Sequence, residues 1–201
     1  MPDITVIRKT GTAYPARLLD LQGYAPPDAI YAAGDAGLLN APAMALFCSV
    51  RCPGDLILRT FDLARDLRTR GQAVVSGFHS PMEKECLSIL LRGKQPVIYC
   101  LARRLTGARI PVEYRVPMAE GRLLLLSPFG EKVKRTTSET ARGRNNFVAA
   151  LADRVFMAHA APGSRTEAFC GTVLSWRRQV LTFDDPHNAN LIALGANIYR
   201  E

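Results

Sequence analysis

The sequence has few of the residues from which common reactive centres are assembled. Its three histidines, His79, His159 and His187, are widely separated, and nothing in the sequence pairs them with a nucleophile. No G-x-x-x-x-G-K-[ST] phosphate loop, H-E-x-x-H helix or Gly-x-Ser-x-Gly elbow occurs. The five cysteines, Cys48, Cys52, Cys86, Cys100 and Cys170, are odd in number and form no C-x-x-C pair, which argues against a disulfide framework and a zinc site. They are expected to be buried small hydrophobes. No stretch approaches the roughly 18 apolar residues of a membrane span. The first twenty residues also lack the apolar run and small-residue cleavage site of a secretory signal, so a cytoplasmic location is expected. Internal repeats and low-complexity tracts are absent too. A binding protein without metal, cofactor or enzymatic activity is the expectation these absences leave.

What is present suffices for one sizeable core: 201 residues, 48% of them hydrophobic. Lysine and arginine number 26 against 18 acidic residues, a formal charge of +8 that suits a polyanionic partner, although a merely soluble basic surface would have the same balance. Six apolar runs of strand length recur, at 44–48, 73–76, 97–101, 122–126, 154–158 and 179–183. Several are continuous rather than alternating, as in strands covered on both faces.

Helical spacing fills the intervals. Leu56, Leu63, Ala64 and Leu67 lie on one stripe of a helix ending at Gly71. Ser80-Pro81-Met82-Glu83 is a capping box with proline at the first helical position, opening a helix whose buried face is Met82, Cys86, Ile89 and Leu90 and which ends at Gly93. Ser164-Arg165-Thr166-Glu167 is read as a second box, before Phe169, Val173 and Trp176. The stretch 108–121, with Pro111 and Pro117, is the least regular and is read as a connecting loop. Alternating strands and helices predict a Rossmann-like α/β fold, a doubly wound, mostly parallel sheet of about six strands with helices on both faces. Residues 1–40 read as a loop-rich extension packed on a domain spanning 41–201.

The order of features resembles a known family. Tyr14-Pro15 through Leu21, Ile30-Tyr31, Gly34-Asp35, and the segment 43–49 with Arg51 resemble the lead-in and first strand of the bacterial DNA-processing protein DprA (Smf) family. Val74-Val75-Ser76-Gly77 resembles its second strand, Arg144-Asn145-Asn146-Phe147 the start of its Arg-Asn-Arg helix, and Asn190-Leu191-Ile192 with Gly195-Ala196 its closing motif. The resemblance runs collinearly from Tyr14 to Ala196. It implies a Rossmann-like fold, single-stranded DNA or a nucleotide as ligand, a homodimer and a possible recombinase partner. Three loops depart from the family pattern. Cys48-Ser49-Val50-Arg51 lacks the glycine of Gly-Ser-Arg, Gly77-Phe78-His79 lacks an arginine, and Asn146 stands where the family has its second arginine. The chain is expected to stand alone, without the winged-helix module found in longer members.

Ligands of a doubly wound sheet bind at the carboxyl ends of its strands, near the point where strand order reverses. Candidate phosphate-binding residues therefore lie in the loops after the strands. Ser49 and Arg51 follow the first strand, with a solvated loop charge as the competing reading of Arg51. Gly77 would let the backbone approach a ligand or is equally a turn glycine, and His79 beside it is either a ligand contact or structural. Ser80 and Ser164 are N-caps whose helix ends also attract phosphate, Gly163, Arg165 and Thr166 flanking the second. Lys132, Lys134 and Arg135 are placed to follow a nucleic-acid backbone. Arg142, Arg144, Asn145 and Asn146 form the densest polar cluster, and the two asparagines are weak helix formers at that position. Phe78 and Phe129 are either base-stacking or core. Two rival functions stay open, a nucleotide-sensing module and a phosphoribohydrolase of the lysine decarboxylase-like family. For the latter, Pro162-Gly163-Ser164-Arg165-Thr166-Glu167 matches the motif only loosely, with two glycines missing and the glutamate too early.

Overall fold

All six apolar runs become strands of a single sheet in the computed structural model, which describes residues 3–200. The chain begins with β1 (Ile4–Arg8) and β2 (Ala29–Ala33), then passes through β3 (Ala43–Phe47), α1 (Gly54–Thr69), β4 (Ala73–Ser76) and α2 (Pro81–Leu91). It continues with β5 (Val97–Cys100), α3 (Val112–Ala119), β6 (Leu123–Ser127), α4 (Ser138–Leu151) and β7 (Arg154–Met157). It closes with α5 (Arg165–Ser175), β8 (Gln179–Thr182), α6 (Ala189–Leu194) and the two-residue β9 (Asn197–Ile198).

The strand order is β1-β2-β6-β5-β4-β3-β7-β8-β9. From β3 the sheet grows one way to β6; the chain then crosses back and β7 pairs with the other side of β3. Ladders from β6 to β9 are parallel, whereas β1 and β2 run antiparallel at one edge. The reversal of strand order therefore falls between β3 and β7, where loops diverge and leave a crevice.

Period-two alternation on β3 distributes its side chains between two layers. Met44 and Leu46 join Leu56 and Leu63 of α1 and Cys86 and Leu90 of α2; Ala45 and Phe47 join Phe147 and Val148 of α4 and Val173 of α5. Leu123, Leu124, Leu125 and Leu126 of β6 are all buried, so the continuous run reflects a strand covered on both faces. Each such fully buried leucine contributes about 1.5–3 kcal/mol.

Three sequence expectations differ from the structure. Residues 1–40 supply two strands of the sheet and the C-terminal β9 a third, bringing the count to nine rather than about six. Strand β2 reads Ala-Ile-Tyr-Ala-Ala, and alanine gives little strand signal, so pairing with β6 rather than propensity makes it a strand. Between these strands, Arg17 donates to the carbonyls of Leu39 and Leu151 and to Asp153 at 2.9–3.2 Å, and the Tyr14 hydroxyl donates to Pro27 O at 2.7 Å. The segment 108–121 is not a loop, because α3 occupies most of it. Pro111 sits at the N-cap, where no N–H is needed, and Pro117, inside this eight-residue helix, is buried. The Ser80 capping box forms in full. The Ser164 box is half-formed, because Glu167 reaches past the N-cap to the N–H of Gly163 at 2.6 Å.

Candidate nucleic-acid interface

The loops at the carboxyl ends of β3 and β4 are held by one buried carboxylate. Glu83, on the first turn of α2, accepts from Cys48 N at 3.1 Å through one oxygen, and from His79 N at 2.8 Å and Ser80 N at 3.1 Å through the other. It is thus a structural hub, and it lies in the electrostatic field of Arg144. Burial pushes the Arg144 guanidinium below its ordinary pKa, and Glu83 pulls it back up.

Arg144 is only 5% exposed, projecting from α4 across the end of β4. Its Nε donates to Asn145 Oδ1 at 2.8 Å and its Nη1 to Cys100 O at 3.3 Å. The guanidinium lies on the backbone of Gly77: a Cβ there would stand 1.5 Å from Nη1 and 1.9 Å from Cζ. Gly77 is therefore a glycine for close approach, and what approaches is a protein side chain. The next residue, Phe78, adopts φ +42° while fully buried against Tyr99, a strained backbone held by the packed core. Phe78 is accordingly core, and Phe129 packs against Gly143 of α4.

Two concavities flank Arg144 and Asn145. A groove of about 810 Å³ runs between α4 and α5 beside the end of β3. Arg142, Asn145, Asn146, Arg165 and Thr166 line it together with Glu83 and Glu139, above a floor that includes Phe47 and Phe169, in edge contact at 5.0 Å. Arg142 and Arg165 are exposed and neither forms an ion pair among the described residues. A smaller cavity of about 190 Å³ lies over the ends of β4 and β5, lined by Gly77, His79, Tyr99, Arg103, Arg109 and Arg144 among others.

The structure thus brings Arg144, Gly77 and His79 to the small cavity, and Asn145, Asn146, Arg165 and Thr166 to the groove. Ser49 borders the crevice with its N–H donated to His159 O at 3.0 Å, and Arg51 is exposed beside it; neither lines a concavity. Lys132, Lys134 and Arg135 are exposed outside both. The hydroxyls of Ser80 and Ser164 are occupied as N-caps, accepting from Glu83 N and Glu167 N, and Gly163 is a turn residue with φ +71°. Glu167 is engaged by Gly163 and Asn190, which together hold its carboxyl below the usual range, and it lines neither concavity. Four of the cysteines are buried as expected, and Cys52 is half-buried.

Sequence reasoning missed Tyr99, Tyr114, Arg103, Arg109 and Thr136 in the smaller cavity. Arg103, just after β5, was an available signal, and Arg109 was obscured because 108–121 reads as a loop. A second missed feature supports the loop after β7. Asn188, fully buried, pairs through Oδ1 with His159 Nδ1 at 3.0 Å and donates to Ala158 O and Thr182 Oγ1, each at 2.9 Å. Asn188→Ala strands these groups and is expected to lower stability by about 2–3 kcal/mol in urea unfolding. A loss below about 0.5 kcal/mol, ordinary for a surface change, would show that the network does not support the loop.

Fold and site together define a doubly wound α/β domain with a polar groove at its switch point, the place where such sheets bind their ligands. The profile of the DNA recombination-mediator protein A family matches residues 5–200, and the chain belongs to that DNA-processing family. Among solved structures it is similar to DprA from Streptococcus pneumoniae, with a TM-score of 0.79 at 19% identity over 98% of this chain and 71% of that one. It is also similar to DprA from Helicobacter pylori, a protein described for its single-stranded DNA binding mode, with a TM-score of 0.76 at 20% identity over 98% of this chain and 91% of that one. The molybdenum cofactor carrier protein of Chlamydomonas reinhardtii shares the fold more distantly, with a TM-score of 0.54 at 12% identity over 81% of this chain and 91% of that one. A comparison with curated proteins finds no match. Among the described residues, no helix is long and apolar enough to cross a membrane.

Proposed function

We propose that the protein is a non-catalytic binder of single-stranded DNA, and that the groove between α4 and α5 receives the strand. The observation that carries this reading is the pairing of free cations with aromatic carbon in one concavity. Arg142 and Arg165 stand at the rim without carboxylate partners, over the half-buried ring of Phe169. Such a groove follows a phosphate backbone by charge and holds bases by stacking, with little sequence preference. Asn145 and Asn146 add donors and acceptors suited to base edges or sugars. Family membership and the single-strand binding of the H. pylori relative support the same ligand.

Fluorescence anisotropy with a labelled oligonucleotide across a salt series tests the reading. Each phosphate contact on a single strand contributes a slope of roughly −0.7 in log affinity against log salt. The Arg142→Ala, Arg165→Ala double variant should therefore bind more weakly, with a slope shallower by about 1.4, and with an unchanged melting temperature because both side chains are exposed. Unchanged affinity and slope would place the strand elsewhere. Dimerisation, which the family resemblance implies, is read in the same samples by analytical ultracentrifugation, and a recombinase partner by co-sedimentation.

A further inference from the structure

The small cavity over β4 and β5 has a composition the groove lacks. Arg103, Arg109 and Arg144 converge on it, and no carboxylate lines it. Arg103 and Arg109 form no ion pair among the described residues, whereas their neighbour Arg104 is paired with Glu131 outside it. Arg144 is more than nine-tenths buried. It uses Nε for Asn145 and Nη1 for Cys100 O, and its Nη2 makes no hydrogen bond among the described residues. Nη2 keeps solvent contact and so remains free to donate to an anion in the cavity.

The remaining walls narrow the choice of anion. Tyr99 and Tyr114 meet edge to face at 6.0 Å and form an aromatic side of the cavity. Burial raises both phenols, Tyr114 to about 12, so their hydroxyls stay protonated and available as donors at neutral pH. Thr136 adds a further hydroxyl. At about 190 Å³, the space is below the roughly 300–1,000 Å³ of sites for drug-sized ligands, and it suits a terminal group rather than a polynucleotide running through. A phosphate monoester carries about −1.5 to −2 charges at neutral pH, against one for each internal phosphodiester, and so matches three converging guanidiniums better.

We propose that this cavity is a receptor for a nucleoside phosphomonoester, either the phosphorylated end of a DNA strand or a free mononucleotide. Arg144 Nη2, Arg103 and Arg109 bind the phosphate and the tyrosine wall packs against the nucleoside. Arg144 and Asn145 are neighbours on α4, one lining the cavity and the other the groove, so a strand in the groove can present its end there. Only the strand-end form rests on the single-strand reading above.

The test compares three versions of one labelled oligonucleotide, with a 5′-phosphate, a 3′-phosphate or hydroxyls at both ends, and titrates adenosine monophosphate and inorganic phosphate by calorimetry. One phosphorylated end should bind roughly tenfold more tightly than the hydroxyl form, as several charge-assisted hydrogen bonds would give. Arg103→Ala and Arg109→Ala should abolish that preference while changing the affinity of the hydroxyl form less than about twofold, with melting temperature as the folding control. A preference without mononucleotide binding identifies a strand end as the source. Saturable mononucleotide binding without a preference, lost in the same variants, identifies a free nucleotide. Neither effect, or a preference that survives both substitutions, overturns the proposal. Failure of the hydroxyl oligonucleotide to bind, with the mononucleotide still bound, removes the groove reading and leaves the cavity standing.

Discussion

Replacing Glu83 with alanine is expected to destabilise the protein by about 3 kcal/mol or more, since each buried donor left without its acceptor costs about 1–3 kcal/mol. Three backbone N–H groups, those of Cys48, His79 and Ser80, lose their acceptor together. Arg144 at the same time loses the carboxylate that offsets its burial. Urea unfolding reads this as a lower midpoint at an unchanged slope. Glu83→Gln keeps one oxygen acceptor and should recover part of the loss. Because Glu83 ties the loop after β3 to the loop after β4 and lines the groove between α4 and α5, Glu83→Gln should also alter strand binding. A loss below about 1 kcal/mol in Glu83→Ala would mean that water replaces the carboxylate and that the hub is not required.

The second large effect is at Gly77. A methyl group there collides with the Arg144 guanidinium at 1.5 Å, which no small adjustment relieves. Either Arg144 leaves Cys100 O and Asn145, or the loop moves; overpacking of this kind costs about 1–3 kcal/mol. Gly77→Ala should also remove phosphomonoester binding at the small cavity, because Arg144 is displaced from it. A double-mutant cycle isolates the cause. In an Arg144→Ala background, Gly77→Ala is expected to be close to neutral, since the backbone at Gly77 lies outside the left-handed region and alanine adopts it readily. A penalty that persists in that background would show that the collision is not with Arg144.

These two residues also mark how far the chain could be read before the structure was known. Glu83 was legible as the closing member of a capping box, a local motif four residues long. That its carboxylate also accepts from Cys48, 35 residues away, was not legible, because a local pattern carries no record of long-range partners. Gly77 was recognised as a position for close backbone approach, but a ligand was the expected neighbour and Arg144 is the actual one. The serines show the reverse. Ser80 and Ser164 read as caps with a possible second role in phosphate binding, and each hydroxyl is taken by its helix.

The groove at the switch point was visible in part. Its asparagines and Arg142 stand in one run, and Arg165 and Thr166 follow the expected β7 loop. The small cavity was visible only through Gly77, His79 and Arg144, since Arg103 stands outside any motif and Arg109 lies in a segment whose prolines signal a loop. Sequence by itself determined the alternation of six strands with helices, the glycine that ends α1, the capping box of α2, the positive charge and the family, because periodicity, capping and composition are local or additive. Tertiary structure alone decided that residues 1–40 complete the sheet and that Glu83 joins two loops. It also decided that Arg144 lies on Gly77 with one nitrogen left for an anion. Each of those depends on which distant atoms meet at the carboxyl edge of the sheet.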